Sequence, residues 1–419
     1  MEFTSIHKNL SKELSYYQHY FSDKRLKRSF FEIFKALIFT GKITISNLAR
    51  FMADKNPHYV AKRYYRFLSR DDLPIKKIWK HFLELESYKV HEDAEIIYDL
   101  SDISKDHRDK LDHLFSYEKI CKVHDGSENA IKFGYPIRCA GVVHKEQFSP
   151  LLFRISSYED ESFVSENEWI LNDIDDIMSA CNKRGKLILD RGFDRSVILN
   201  HLISKKYKFI LRMQKLRHYR WGDKDRSFSV EEIQRHIVPY KNNKPISGLY
   251  YTQVFLTNST DPLSFIIVIP KRKTKKTNRM KEPLYLLTNK GVKSKNGASK
   301  ILHSYLKRWK IENYFQMLKS KFEIENIRVR KIKSIEMLLT IIMIATSIAH
   351  DLYIKLNKKD IKKIERLNQS FSYKEKSYIL LNLFRQIGII LMAKRKENLF
   401  HNYKYNVVFN KLFQQGTYG

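Results

Sequence analysis

Cysteine, glycine and proline are scarce in this chain, and acidic residues fall well short of basic ones. The three cysteines, Cys121, Cys139 and Cys181, are scattered and form no CxxC pair, which excludes a disulfide framework and suits a reducing compartment. Cys121 and His124 make a lone C-x2-H with no second pair, so a zinc site is not expected. With 13 glycines and 9 prolines in 419 residues there is no flexible linker of any length, and no internal repeat is present. The opening stretch, MEFTSIHKNLSKELSYY, lacks the apolar core of a signal peptide. The most apolar run, Met337 to Ala349, is interrupted by Thr340, Thr346 and Ser347 and falls short of the ~20 residues that span a bilayer. A buried helix is expected there, with neither secretion nor membrane insertion.

What the chain has in excess is positive charge. Lys and Arg total 78 against 46 Asp and Glu, and the surplus of +32 is spread along most of the length rather than confined to a tail. Such a field favours a polyanionic partner. The length allows two or three domains and at least one sizeable core.

Residues 1–88 read as helical. Ser46 can cap a short helix through Ala53, and after a turn at 54–56 Asn56 can cap a second one that has Pro57 in its first position. This is a helix-turn-helix arrangement. Tyr59, Lys62, Arg63, Arg66 and Arg70 fall on one side of the second helix, and such a basic face suits phosphate and groove contacts.

From Glu95 the texture turns to short β-rich runs: EIIYDLSDI, IRCAGVVH, PLLFRISSY, KLILDRG and KFILRM. Helical patterns at 166–184 and 194–206 separate the last three. Three strands, expected to be antiparallel, followed by alternating helix and strand predict an α/β domain. Residues 214–282 carry further strands, LYYTQVFLTN and SFIIVIPKR, and a run from 271 to 281 with seven cations in eleven residues. This stretch reads as a β-rich insertion, because the strand EPLYLLTN and a following helix must still complete the core. Residues 331–419 are again helical and Lys-rich.

Three acids stand out. Asp99 follows Ile96, Ile97 and Tyr98, and Asp190 ends the run Leu187, Ile188 and Leu189, both points where a polar group is costly to bury without a partner. Glu312 lies within YLKRWKIENYFQMLK, residues 305–319. As one helix, at ~100° per residue, this stretch sets Tyr305, Arg308, Glu312 and Lys319 within a wedge of roughly 60°. Ile311, Tyr314, Phe315, Leu318 and Phe322 form an apolar stripe beside it. A rise of ~1.5 Å per residue spreads the polar row over about 21 Å, which suits several phosphates along a strand. Oxygen ligands from three elements suit Mg²⁺, and two such ions can activate a nucleophile and stabilise a leaving oxygen in phosphoryl displacement.

Taken in order, DLS at 99–101, DRGFD at 190–194 and Y-x2-R-x3-E-x6-K at 305–319 resemble the DDE transposases of bacterial insertion sequences, in the group with the Y-R-E-K signature. The resemblance runs from about 95 to 330. It implies an α/β, ribonuclease-H-like catalytic core (89–213 and 283–330) interrupted by the β-rich insertion (214–282), between a helical DNA-binding domain (1–88) and a helical C-terminal region (331–419). Asp99, Asp190 and Glu312 would be the catalytic acids and the ligands of two Mg²⁺ ions, with Mn²⁺ as substitute; Asp102 competes with Asp99 for the first place. Tyr305, Arg308 and Lys319 would hold phosphates near the cleaved end. Lys62, Arg63 and Arg66 would bind DNA, and Trp221, beside Arg217, Arg220 and Lys224, would stack on a flipped base unless it is simply packed. Asp194 reads as a helix cap. The implied activity is metal-dependent cleavage at element ends, a hairpin intermediate and strand transfer into target DNA. A homodimer on paired ends, acting on double-stranded DNA in the bacterial cytoplasm, follows. The competing reading is an inactive or repurposed DNA-binding descendant.

Overall fold

The computed structural model describes residues 12–355, apart from 54–55, 106–115, 127, 223–225, 258–259 and 272–281, together with residues 362 and 385. Most of the basic run at 271–281, Lys224, and the chain beyond 355 save those two residues therefore lie outside the described residues.

The amino-terminal part is helical: α1 (Lys24–Thr40), α2 (Ile45–Met52), α3 (Pro57–Leu68) and α4 (Ile75–Glu86). Asn56 caps α3 through its side chain, which accepts from the His58 amide at 2.9 Å, with Pro57 in the first turn where its missing N–H costs nothing. Ser46 does not cap α2. Thr44 occupies that position, and Ser46 is already helical.

Five strands begin one mixed sheet: β1 (Glu95–Ser104), β2 (Cys121–Asp125), β3 (Ala130–His144), β4 (Gln147–Ile155) and β5 (Lys186–Leu189). β3 runs antiparallel to β1, β2 and β4, while β5 runs parallel to β1 and to β6 (Phe209–Arg212). Crossover helices α5 (Glu166–Ala180) and α6 (Ser196–Ser204) precede β5 and β6, as parallel pairing requires. Two small hairpins follow, β7 (His218–Arg220) with β8 (Ser227–Ser229), and β9 (Tyr240–Lys241) with β10 (Lys244–Pro245); helix α7 (Val230–Ile237) lies between them. β11 (Gly248–Val254), β12 (Leu263–Ile269) and β13 (Leu284–Thr288) then join the main sheet through β6. Among the described residues the order is β11-β12-β13-β6-β5-β1-β3-β2, with β4 on β3. The 214–282 stretch thus lengthens the central sheet as well as adding hairpins.

Strand alternation sorts the core into two clusters. Ile96, Tyr98, Leu187, Leu189, Phe209 and Leu211 face α5, α6 and α7. Ile97, Ile188 and Ile210 face the other way, toward the N-terminal helices and the last three described helices, α8 (Lys295–Leu306), α9 (Trp309–Ser320) and α10 (Ile332–Ile354). Helix α10 is longer than the apolar run alone implies, and by length and composition it could cross a membrane; 83% of its most apolar window is buried inside the protein. It packs on β4, α1 and α4, where Trp79 Nε1 donates to Thr340 Oγ1 at 2.8 Å.

Candidate active site

The sheet register brings the first two acids level. β1 and β5 pair in parallel as Ile96 with Leu187 and Ile97 with Ile188, and the same register continued by two places sets Asp99 beside Asp190. Asp99 shares the face of Ile97, toward α8 and α9. Its Oδ1 accepts from the Leu100 amide at 2.9 Å. Asp190 caps a short 3₁₀ turn, Arg191–Phe193, by accepting from the Arg191 amide at 2.5 Å.

The third acid comes from the stretch 305–319, which is not one helix. α8 ends at Leu306 and α9 starts at Trp309. Between them the amides of Lys307, Arg308, Lys310 and Ile311 bond three residues back, to Ser304, Tyr305, Lys307 and Arg308, tightening the chain where an α-helix would bond four back. Tyr305 and Arg308 are correspondingly buried, 4% and 6% exposed, rather than displayed on a helix edge.

Arg308 occupies the centre of the site. Its Nη1 lies 3.1 Å from Asp99 Oδ2 and 3.8 Å from Asp190 Oδ2, and its Nη2 lies 2.5 Å from Glu312 Oε1 one turn on. One guanidinium therefore gathers three carboxylates from two strands and a helix. Tyr305 Oη donates to Asp190 Oδ1 at 3.5 Å, and Arg212 Nη1 stands 3.7 Å from the same oxygen. Burial pushes the Asp99 carboxyl up to about 7, against the pull of Arg308 and with a further push from Asp190. Burial opposes charge on Arg308 too, but Asp190 and its neighbours outweigh it and strengthen the guanidinium's hold on its proton. Tyr305 is raised to about 12 by burial and by Asp190.

Other expected residues sit elsewhere. Lys319 lies 3.4 Å from Asp102 and 3.2 Å from Glu325, away from the guanidinium, so the two aspartates of β1 serve different cations: Asp99 meets Arg308 and Asp102 meets Lys319. Asp194 does not cap α6, whose cap is Arg195. Its buried carboxylate accepts from the Gln214 amide at 2.8 Å and faces Arg217 at 3.7 Å. Trp221, for which base stacking and simple packing are both open, makes packing contacts inside the insertion: Nε1 donates to Thr252 Oγ1 at 3.0 Å, and the ring stacks on His236. Arg63 also turns inward, pairing with Glu32, which takes Arg28 at 2.7 Å and Tyr64 Oη at 3.1 Å. Lys62 and Arg66 are exposed on α3 beside His58, Tyr59 and Tyr65, with Tyr59 70% exposed. Arg212 is a member of the site that sequence reasoning missed. It ends the apolar run of β6 just as Asp190 ends that of β5, and that shared position is the signal that would have found it.

Fold and site together define a mixed α/β protein with a carboxylate cluster built on two parallel strands and one helix. Residues 164–348, which include Asp190, Arg308 and Glu312 but not Asp99, match the family model described as "Transposase DDE domain". Among solved structures the chain is similar to one titled "Cryo-EM structure of piggyBac transposase synaptic complex with hairpin DNA (SNHP)", with a TM-score of 0.47 and 11% identity, over 93% of this chain and 76% of that one. No curated protein matches it.

Proposed function

We propose that this protein is a DNA transposase of the Y-R-E-K group, cutting the ends of a mobile element and joining them to target DNA through a hairpin intermediate. The observation that carries the proposal is the convergence of Asp99, Asp190 and Glu312 on one guanidinium, the latter two within the segment matching a transposase DDE domain. The antiparallel β3–β1 pair beside the parallel β1–β5–β6 strands, with helices on both faces, supports reading the core as ribonuclease-H-like.

The donor set fits a hard divalent cation: three carboxylates, with no thiolate or imidazole, already organised around a positive group. Among the described residues no three or more His, Cys, Asp or Glu side chains are spaced to hold a metal ion as they stand. Asp99, Asp190 and Glu312 would hold two Mg²⁺ ions, or Mn²⁺ in their place. When bound, such ions activate the attacking oxygen and neutralise charge on the leaving one.

The chain's own residues do the rest. Arg308 and Tyr305, beside the acids, would hold a scissile phosphate, since a guanidinium matches two phosphate oxygens at once. Lys319, about three turns beyond Arg308 near the end of α9, suits a phosphate further along the strand. Lys62 and Arg66 on α3 supply an exposed basic face for end binding, and the net charge favours long DNA contacts. The protein would act in the cytoplasm as a homodimer on paired ends. The test is a labelled duplex carrying the inverted repeats that flank the gene, incubated with Mg²⁺ and wild type or Asp190→Asn. Nicked and hairpin products from wild type alone support the proposal; binding without cleavage by either protein contradicts it.

A further inference from the structure

We propose that Arg308 is an internal counter-cation of the carboxylate centre, holding Asp99, Asp190 and Glu312 in protein free of metal and DNA, and releasing them when a DNA phosphate takes its guanidinium. The inference rests on the function proposed above. Three carboxylates drawn to one point repel one another unless a cation lies among them, and the guanidinium supplies it, reaching oxygens of all three at 3.1, 3.8 and 2.5 Å. The side chain is buried, and among the described residues its Nε has no hydrogen-bond partner, so Nη1 and Nη2, both on the acids, are where the group is held. The tight turn at 307–308 fixes this aim by starting α9 at Trp309, with Arg308 in the cap position.

A divalent ion and the guanidinium compete for the same three carboxylates, so metal binding is opposed while Arg308 holds them. A phosphate offers a comparable bidentate partner close by. DNA and metal should then favour each other's binding by the same factor, because the coupling is reciprocal. Arg308 is in this sense a positioning residue as well as a phosphate ligand. It keeps the acids assembled and keeps metal loading conditional on DNA.

The test titrates Mn²⁺ into full-length wild type, Arg308→Gln, Arg308→Lys and the Arg308→Gln/Asp190→Asn double variant without DNA, following free Mn²⁺ by electron paramagnetic resonance. Melting temperatures in EDTA and in Mn²⁺, with circular dichroism, establish that each variant is folded. Arg308→Gln should bind Mn²⁺ on the order of tenfold or more tightly than wild type, Arg308→Lys should fall between, and the double variant should lose the gain. Arg308→Gln should melt lower than wild type in EDTA and recover more on adding Mn²⁺. Equal or weaker Mn²⁺ binding by folded Arg308→Gln overturns the inference. If wild type then still cuts its ends, the transposase reading survives that failure. A tenfold gain with no cleavage of any end duplex by wild type supports the counter-cation role and removes the transposase reading instead.

Discussion

Asp173→Asn tests how Asp99, the proposed first catalytic aspartate, is held. Asp173, on α5, is fully buried and accepts from Arg138 Nε at 2.6 Å, Arg154 Nη1 at 2.6 Å and Tyr98 Oη at 2.8 Å. Tyr98 precedes Asp99, so this network fixes β1 one residue from the site. Asparagine keeps the shape but removes the charge. Arg138, nearly inaccessible, then loses its ion pair, whereas Arg154 keeps Asp176 at 2.7 Å. Removing one partner of a buried ion pair costs about 3–5 kcal/mol, and the surviving pair on Arg154 argues for the lower end, about 3 kcal/mol. Tyr98→Phe, which deletes one hydrogen bond to a charged acceptor, should cost about 1.5–3 kcal/mol. Urea unfolding at neutral pH measures both, and single-turnover end cleavage below the transition reports whether Asp99 has shifted. An Asp173→Asn protein within about 1 kcal/mol of wild type and equally active would refute the argument that this network supports the site.

Further outcomes follow from other residues. Lys62→Ala and Arg66→Ala should each weaken DNA binding and lower its salt slope by about 1, whereas Arg63→Ala should leave the slope unchanged and lower stability through Glu32; binding at several salt concentrations separates the two. The Asp351 carboxyl is held down at about 2: burial alone would raise it, but hydrogen bonds and charge from His350 and Lys89 prevail. Its folded pKa lies below the unfolded value, so its contribution, on the order of 2 kcal/mol, is present above pH ~4 and lost as pH falls toward 2. Acid titration of melting temperature should show this limb flattened in Asp351→Asn. Trp221→Phe should cost about 1 kcal/mol, the value of its bond to Thr252, measurable by urea unfolding, and should leave DNA affinity unchanged.

Much of the site is legible in local sequence. Asp99 and Asp190 interrupt or end apolar runs, and Arg308 and Glu312 are four apart on a helical pattern. What single stretches do not encode is pairing at a distance. The parallel register of β1 and β5 makes the two aspartates neighbours, and it depends on α5 crossing between them. The bend at 307–308, where hydrogen bonds run three back, goes with burial of Tyr305 and Arg308, while Glu312 and Lys319 of the same row stay half-buried. Asp194 is a reasonable cap by position, yet the Gln214 amide, brought in by β6, takes its carboxylate. Arg63 looks equivalent to Lys62 on α3 until Glu32 arrives from α1.

The central claim is that Asp99, Asp190 and Glu312 form one catalytic centre. It is tested most directly by single-turnover cleavage of the flanking-repeat duplex in Mg²⁺ by Asp99→Asn, Asp190→Asn, Glu312→Gln, the Asp99→Asn/Asp190→Asn double variant and Asp102→Asn. Groups acting as a unit are non-additive, so each single loss within the triad should slow cleavage by about 10³-fold or more, with the double variant no worse. Asp102→Asn, which removes one partner of Lys319 and leaves it Glu325, should stay within about tenfold of wild type. Cleavage that survives Asp99→Asn, Asp190→Asn or Glu312→Gln, or that fails in Asp102→Asn while persisting in Asp99→Asn, would contradict the account.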